Sequence, residues 1–381
     1  MEKVNKFYKL YNEQPSHHYQ APARVNLIGE HIDYNGGRVL PCAISLYIDA
    51  YFSARNDRLI SVSSGNEKKY FTVSLDEIKY EKKYSWANYV FGCFYILRVN
   101  GYKIDKGLNI YINSEIPVGS GLSSSAALLD LIIFAINDIN NLGIDRENIA
   151  KLAQKVENQY CNLKCGIMDQ AIIALGKEKQ CLLLDCNNFS YDYVNLNLGE
   201  YTFVILKTNK PHSLVTSKYN ERVSECEKAL AILKQYYNIN SLCDLRTFDL
   251  TKVHLCLDDD VLYRRVKHVI TENERVISFC INLEKGNIAK LGELLNASHQ
   301  SLKNNYEVTG EHLDAIVESA LIAGAVGARM TGGGFGGCAI ALIKLKDFET
   351  FREKVSKRYQ SITNIIPDII QFDIVDGVKR I

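Results

Sequence analysis

VGSGLSSSAALLDLI, Val118 to Ile132, sets two glycines and three consecutive serines directly before an apolar run. Upstream, Leu108, Ile110 and Ile112 fall on alternate positions, the period of a strand. Pro117 and the glycines break that strand, and Ala126 to Ile136 reads as a helix. Strand, glycine loop, helix is an order that leaves unpaired N–H groups and a positive dipole end at the loop, a setting for phosphate. Gly119 and Gly121 permit close backbone approach. Ser123, Ser124 and Ser125 can donate to phosphate oxygens, and one hydroxyl could ligate Mg²⁺. The competing reading, a serine capping the helix, needs only one of the three. No lysine is present, so this is not the usual phosphate loop.

A second glycine-rich segment, TGGGFGGCAIALI from Thr331 to Ile343, holds a literal G-x-G-x-x-G at Gly332, Gly334 and Gly337. A dinucleotide fingerprint follows a strand and opens a helix. Here the helical run HLDAIVESALIAG precedes and the strand-like CAIALI follows, so that reading fails on context. Glycines allowing a tight turn are the alternative.

APARVNLIGEHIDYNGGRVLPCAI crowds Arg24, Glu30, His31 and Asp33 among Val25, Leu27, Ile28 and Ile32. Donors and acceptors at this density suit a hydroxyl-rich ligand, because buried polar groups must find partners; a salt-bridged surface turn competes. In CGIMDQAII, Asp169 follows apolar Ile167 and Met168 and could be poised as a general base, or could cap a helix starting near Gln170. Glu157, on an expected helix from Arg146 to Asn158, is a second candidate carboxylate.

The remaining composition excludes more than it identifies. The 381 residues carry 45 Lys and Arg against 44 Asp and Glu, which gives no footprint for nucleic acid or an anionic membrane. The polar opening MEKVNKFYKLYNEQ lacks a signal-peptide apolar region, and no stretch is long enough to span a bilayer, so a cytoplasmic protein is expected. The 11 cysteines include no C-x-x-C pair and read as reduced, mostly buried side chains. Strands are expected at Cys181–Asp185, Tyr201–Leu206 and Cys338–Leu345, with helices at Lys218–Tyr237 and Leu262–Leu283. Mixed elements in both halves point to an α+β class, with domains at 1–195 and 196–381.

Taken together, these segments resemble the GHMP small-molecule kinases nearly end to end. PVGSGLSSSAA is similar to that family's ATP motif and MTGGGFGGC to its third motif, while RVNLIGEHIDYNGG resembles the signature of its galactose-phosphorylating branch. SWANYVFG, KCGIMDQ, PHSLVTSKY and SHQSLKNNYEV extend the likeness. The resemblance implies two domains of mixed sheets flanked by helices, with the active site in the cleft between them. It implies transfer of the γ-phosphate of ATP to the C1 hydroxyl of α-D-galactose, the opening step of galactose catabolism, with Mg²⁺ as cofactor. Galactose and ATP are the implied partners, with no nucleic acid, no membrane and a monomeric state.

The same resemblance implies roles at matching positions. Arg24, Glu30, His31, Asp33, Gly166 and Tyr219 would line the sugar pocket. Asp169 would take the proton, with Arg24 steadying the charges. Gly119, Ser120, Gly121, Leu122, Ser123, Ser124 and Ser125 would wrap the triphosphate, Trp86 would stand on the adenine side, and Ser125 and Glu157 would ligate the metal. The third motif would support the ATP loop. Ala23, Lys164 and the Asn304–Asn305 pair depart from common residues at their positions. An N-acetylgalactosamine kinase shares a similar first motif, and a non-catalytic sensor is the rival of another class; the intact serine run favours an enzyme.

Overall fold

The computed structural model describes residues 2–67, 69–117, 121–210 and 215–381. The alternating segment forms the strand Leu108–Ser114, and the apolar run after the serines forms the helix Ser124–Asn140. That strand lies inside a six-stranded sheet with the order Lys379–Arg380, His17–Asn26, Pro41–Ala54, Leu108–Ser114, Leu59–Ser64, Phe71–Ser74. Neighbours run antiparallel except Leu59–Ser64, which is parallel to Leu108–Ser114. Helix Ser124–Asn140 is buried along Ala126–Ile133 and packs on strand His17–Asn26 and on the helices Ala87–Val99, Arg146–Lys155 and Met168–Leu175. Being apolar nearly all round, it suits a central position.

A small sheet pairs Arg38–Val39, Gln180–Asp185 and Ser190–Asn195. The second large unit is a four-stranded antiparallel sheet in the order Gly327–Thr331, Cys338–Lys344, Tyr201–Lys207, Asp368–Gln371. Helix Ile288–Ser301 packs on its edge strand and on the long helix Asp260–Glu284. The class is α+β. The chain finally returns to the first sheet, where Arg380 pairs with Tyr19. Among the described residues no helix is long and apolar enough to cross a membrane.

Two expectations are corrected. A strand at Gly327–Thr331 precedes the second glycine segment, which is therefore the loop of a hairpin between antiparallel strands. Asp169 does not cap its helix: Ile167 holds the cap position, and Asp169 sits in the first turn of Met168–Leu175.

Candidate active site

A cleft of about 270 Å³ is lined by Arg24, Glu30, His31, Asp33, Gly121, Ser123, Ser124, Ser125, Glu157, Gly166, Asp169, Tyr219, Gly332 and Gly333, among others. Residues far apart in sequence meet here because several elements end at the cleft. Strand His17–Asn26 delivers Arg24 just after a register shift at Pro22/Ala23. Helices Ser124–Asn140 and Met168–Leu175 both point N-termini into it, bringing positive dipole ends to one place. A larger depression of about 770 Å³ lies beside Asp368–Ile370. Its Arg352 pairs with Glu349 and its Glu353 with Lys357.

The serines answer the capping question. Ser123 occupies the cap position with φ +60°, yet its hydroxyl makes no cap bond; it donates to Asp169 Oδ2. Arg24 donates from Nε to Asp169 Oδ1 at 2.7 Å and from Nη2 to Oδ2 at 2.8 Å. Its Nη1 donates to the Gly121 carbonyl at 2.6 Å. Arg24 is 4% exposed while the Asp169 side chain is 29% exposed, so this fork-to-carboxylate pair is fixed from the buried side and open to the cleft on the other. Gly121 (φ +76°) and buried Leu122 continue the loop; Gly119 and Ser120 lie outside the described residues.

Asp33 and Gly166 are in direct apposition, for a Cβ at Gly166 would collide with the Asp33 carboxylate. Burial, with the Asp169 charge adding to it, pushes the Asp33 carboxyl up to about 7. Burial holds His31 down to about 3, and the neighbouring His268 adds to the effect. Tyr219 covers His31 at 5.5 Å between ring centroids. Glu30 is 1% exposed, and its carboxylate is engaged by protein donors. Oε1 accepts from the Gly332 amide at 2.7 Å and Thr331 Oγ1 at 3.1 Å, while Oε2 faces Arg329 Nη2 at 3.0 Å and accepts from Asn26.

Glu157 is 3% exposed and stands where the helix Arg146–Lys155 widens into a π-turn, Val156–Tyr160. Burial raises its carboxyl, opposed by a hydrogen bond from Ser125. Gln170 Nε2 donates to Glu157 Oε2 at 2.5 Å, and Cys165 Sγ reaches the same oxygen at 3.2 Å. Among the described residues no group of three or more His, Cys, Asp and Glu forms a ready cage. Mg²⁺ needs less, because it keeps several waters and takes substrate phosphate oxygens beside one or two carboxylates. A buried carboxylate with a hydroxyl beside it at a helix N-terminus fits that requirement.

The third glycine motif rests against the loop that precedes helix Ser124–Asn140: a Cβ at Gly332 would stand 2.6 Å from the Gly121 carbonyl oxygen. Trp86 lies apart from this lining. It precedes helix Ala87–Val99, stacks edge-on with Phe71 at 6.3 Å, and its Nε1 has no partner among the described residues.

With this geometry established, three family models match the chain. They are the galactokinase galactose-binding signature over residues 5–54, the GHMP kinases N terminal domain over 88–177 and the GHMP kinases C terminal over 281–361. A galactokinase of Clostridium tetani is 44% identical over 377 residues, spanning 98% of this chain and 96% of its own. The chain belongs to the galactokinase family, within the GHMP kinases. A galactokinase of Staphylococcus carnosus is also 44% identical, over 99% of this chain and 98% of its own. The structure of Lactococcus lactis galactokinase complexed with galactose matches with a TM-score of 0.97 at 39% identity, covering 99% of this chain and 98% of that one. A mevalonate kinase, at 22% identity and a TM-score of 0.68 over 95% and 100% of the two chains, shares the fold.

Within this galactokinase-family frame, sequence reasoning missed several residues that shape the cleft. Gln170 stands next to Asp169 and ties down Glu157. Arg329 and Thr331 belong to the unrecognised strand and serve Glu30. Tyr34 and Tyr306 back His31. Of the departures, Ala23 is buried beside Arg24 at the register shift, Lys164 pairs with Glu227 at 2.8 Å, and Asn304 and Asn305 offer backbone carbonyls to Arg264 and Arg265.

Proposed function

We propose that this protein transfers the γ-phosphate of ATP to the anomeric C1 hydroxyl of α-D-galactose, giving galactose 1-phosphate and ADP in the cytosol. The observation that carries the reading is the position of Asp169. It lies between the galactose-signature residues Arg24 and Asp33 on one side and Ser123, at the start of the phosphate-loop helix, on the other.

In this reading Arg24, Glu30, His31, Asp33, the Gly166 backbone and Tyr219 hold the sugar. Asp169 accepts the C1 hydroxyl proton, and the Arg24 guanidinium keeps its carboxylate oriented and charge-balanced. Residues 119–125 wrap the triphosphate, with Trp86 toward the adenine. Phosphoryl transfer needs positioning and charge neutralisation more than covalent help, so the absent lysine is no defect. Ser125 and Glu157 would hold Mg²⁺, which when bound neutralises charge on the phosphate oxygens.

ADP formation from ATP and Mg²⁺, measured across hexoses and N-acetylhexosamines, tests the reading. Turnover is expected on galactose. Turnover confined to N-acetylgalactosamine, or binding without turnover, would replace it with another member of the same family.

A further inference from the structure

His31 is held by more than its own loop. Its Nδ1 lies 2.9 Å from the Tyr34 hydroxyl, which lies 2.9 Å from the Tyr306 hydroxyl, which lies 3.1 Å from Cys226 Sγ. The four groups come from three distant segments of the chain. Rings of Tyr306, Tyr219 and Tyr34 surround the imidazole at 4.9, 5.5 and 6.0 Å, and His268 packs on Tyr306 at 4.5 Å. His31 itself has φ +63° and is 5% exposed. The other ring nitrogen, Nε2, has no hydrogen bond of good geometry among the described residues, although the Gly333 backbone carbonyl faces the ring, and the residue lines the cleft.

Counting protons gives this chain a direction. Each hydroxyl and the thiol carries one hydrogen, so a fully bonded chain donates the same way throughout. The thiol is weak both as donor and as acceptor, but run outward from His31 the last hydrogen would fall on the Cys226 sulfur and the thiol hydrogen would be left out of the chain. Run inward, Cys226 donates to Tyr306, Tyr306 to Tyr34, and Tyr34 to His31 Nδ1, a good acceptor. The ring proton then sits on Nε2. Burial keeps the ring neutral at physiological pH, so a single tautomer is presented.

We infer that Tyr34 and Tyr306 are positioning residues for sugar recognition: with Cys226 behind them, their hydroxyls fix His31 as the Nε2–H tautomer, a donor to a sugar hydroxyl oxygen. The sugar part of this inference rests on the reading of the cleft given above. Neither tyrosine touches the reacting atoms. Both act through His31, and what they set is affinity and selectivity for the acceptor.

Tyr34→Phe and Tyr306→Phe keep the rings and remove the hydroxyls. Each is expected to weaken galactose binding in calorimetry about 5–30-fold, the range for a misaligned buried hydrogen bond. KM for galactose rises with it, while kcat and the KM for MgATP stay within about twofold. Because one chain is being cut, the double variant should bind no more weakly than the poorer single variant. Nitrogen-15 NMR of the histidine rings, with His31 assigned from its loss in His31→Gln, should show the proton on Nε2 in the parent and mixed tautomers in Tyr34→Phe. A parent proton on Nδ1, or unchanged galactose affinity in both folded variants, overturns the inference. A parent with the expected tautomer that binds no galactose removes the sugar reading instead, so the two failures are distinguishable. Should Tyr306→Phe not fold, the less buried Tyr34 decides alone.

Discussion

Arg24 grips Asp169 through both arms of its guanidinium, at 2.7 and 2.8 Å, and spends its remaining nitrogen on the Gly121 carbonyl at 2.6 Å. One side chain therefore ties the proposed base to the phosphate loop. Asp169 is oriented by protein groups alone, and that orientation depends on a residue 145 positions away in sequence.

Asp169→Asn tests that placement. The amide keeps the size and one acceptor for Arg24 but cannot take a proton. Turnover should fall by about 10²–10⁴-fold, the usual contribution of a positioned general base, with galactose binding still measurable by calorimetry. Near-normal turnover would remove Asp169 from the proton transfer.

Much of this site was legible because its chemistry is written in local runs. The alternation through Leu108–Ile112 and the glycine–serine break marked the strand and the helix start that border the cleft, and the charges from Arg24 to Asp33 stood out against Val25, Leu27 and Ile28. What escaped has no local signal. GARMT at 327–331 is buried on both faces, so it shows no alternation, and its fully buried Arg329 reads as a break rather than a strand residue. Only the fold reveals that Arg329 faces Glu30 across some 300 positions. Gln170, Tyr34 and Tyr306 are ordinary polar residues until their partners from other segments are in place.

Gly332→Ala probes the contact between the third glycine motif and the phosphate loop. Gly332 has φ +84°, and an added Cβ would meet the Gly121 backbone oxygen at 2.6 Å, with no flexible side chain able to yield. The two loops must separate, at a cost of about 1–3 kcal/mol. A lowered melting temperature and a raised KM for MgATP are expected. Wild-type values for both would show that the loops do not depend on each other.

Asp130 stands in the middle of helix Ser124–Asn140 with 0% exposure, and neither carboxyl oxygen has a hydrogen-bond partner among the described residues. Burial raises its carboxyl far above the ordinary range, and the charges of Glu157 and Asp169 push the same way. The folded protein holds the proton while the unfolded chain releases it above about pH 4. The group therefore costs more stability as pH rises, by about 1.4 kcal/mol per unit. Asp130→Val should raise the melting temperature, and by more at pH 7 than at pH 5. An equal gain at the two values would show that Asp130 ionises inside the fold.

His268 and Glu272 shift the balance the other way. His268 Nε2 donates to the Glu30 carbonyl at 3.0 Å and Nδ1 meets Ser301 Oγ at 2.9 Å. Glu272 accepts from the Gly29 amide at 3.0 Å and Ser298 at 2.7 Å, and pairs with Arg275. Burial lowers His268 to about 4, with Arg275 and Arg329 adding to it and Glu272 opposing. For Glu272, burial works upward, but Arg275, His268 and Arg329 carry its carboxyl down to about 2. Both folded values lie below the unfolded ones. Their stabilisation is thus complete near neutrality, is lost from His268 as pH falls from about 6.5 to 4, and is lost from Glu272 below about 4.5. Because these groups anchor Gly29 and Glu30, acid should loosen the sugar-signature loop along with the fold. Melting temperature measured from pH 7 to pH 5 should fall less steeply in His268→Gln than in the parent, whatever the offset at pH 7. Parallel curves would mean that His268 does not titrate on unfolding in this range.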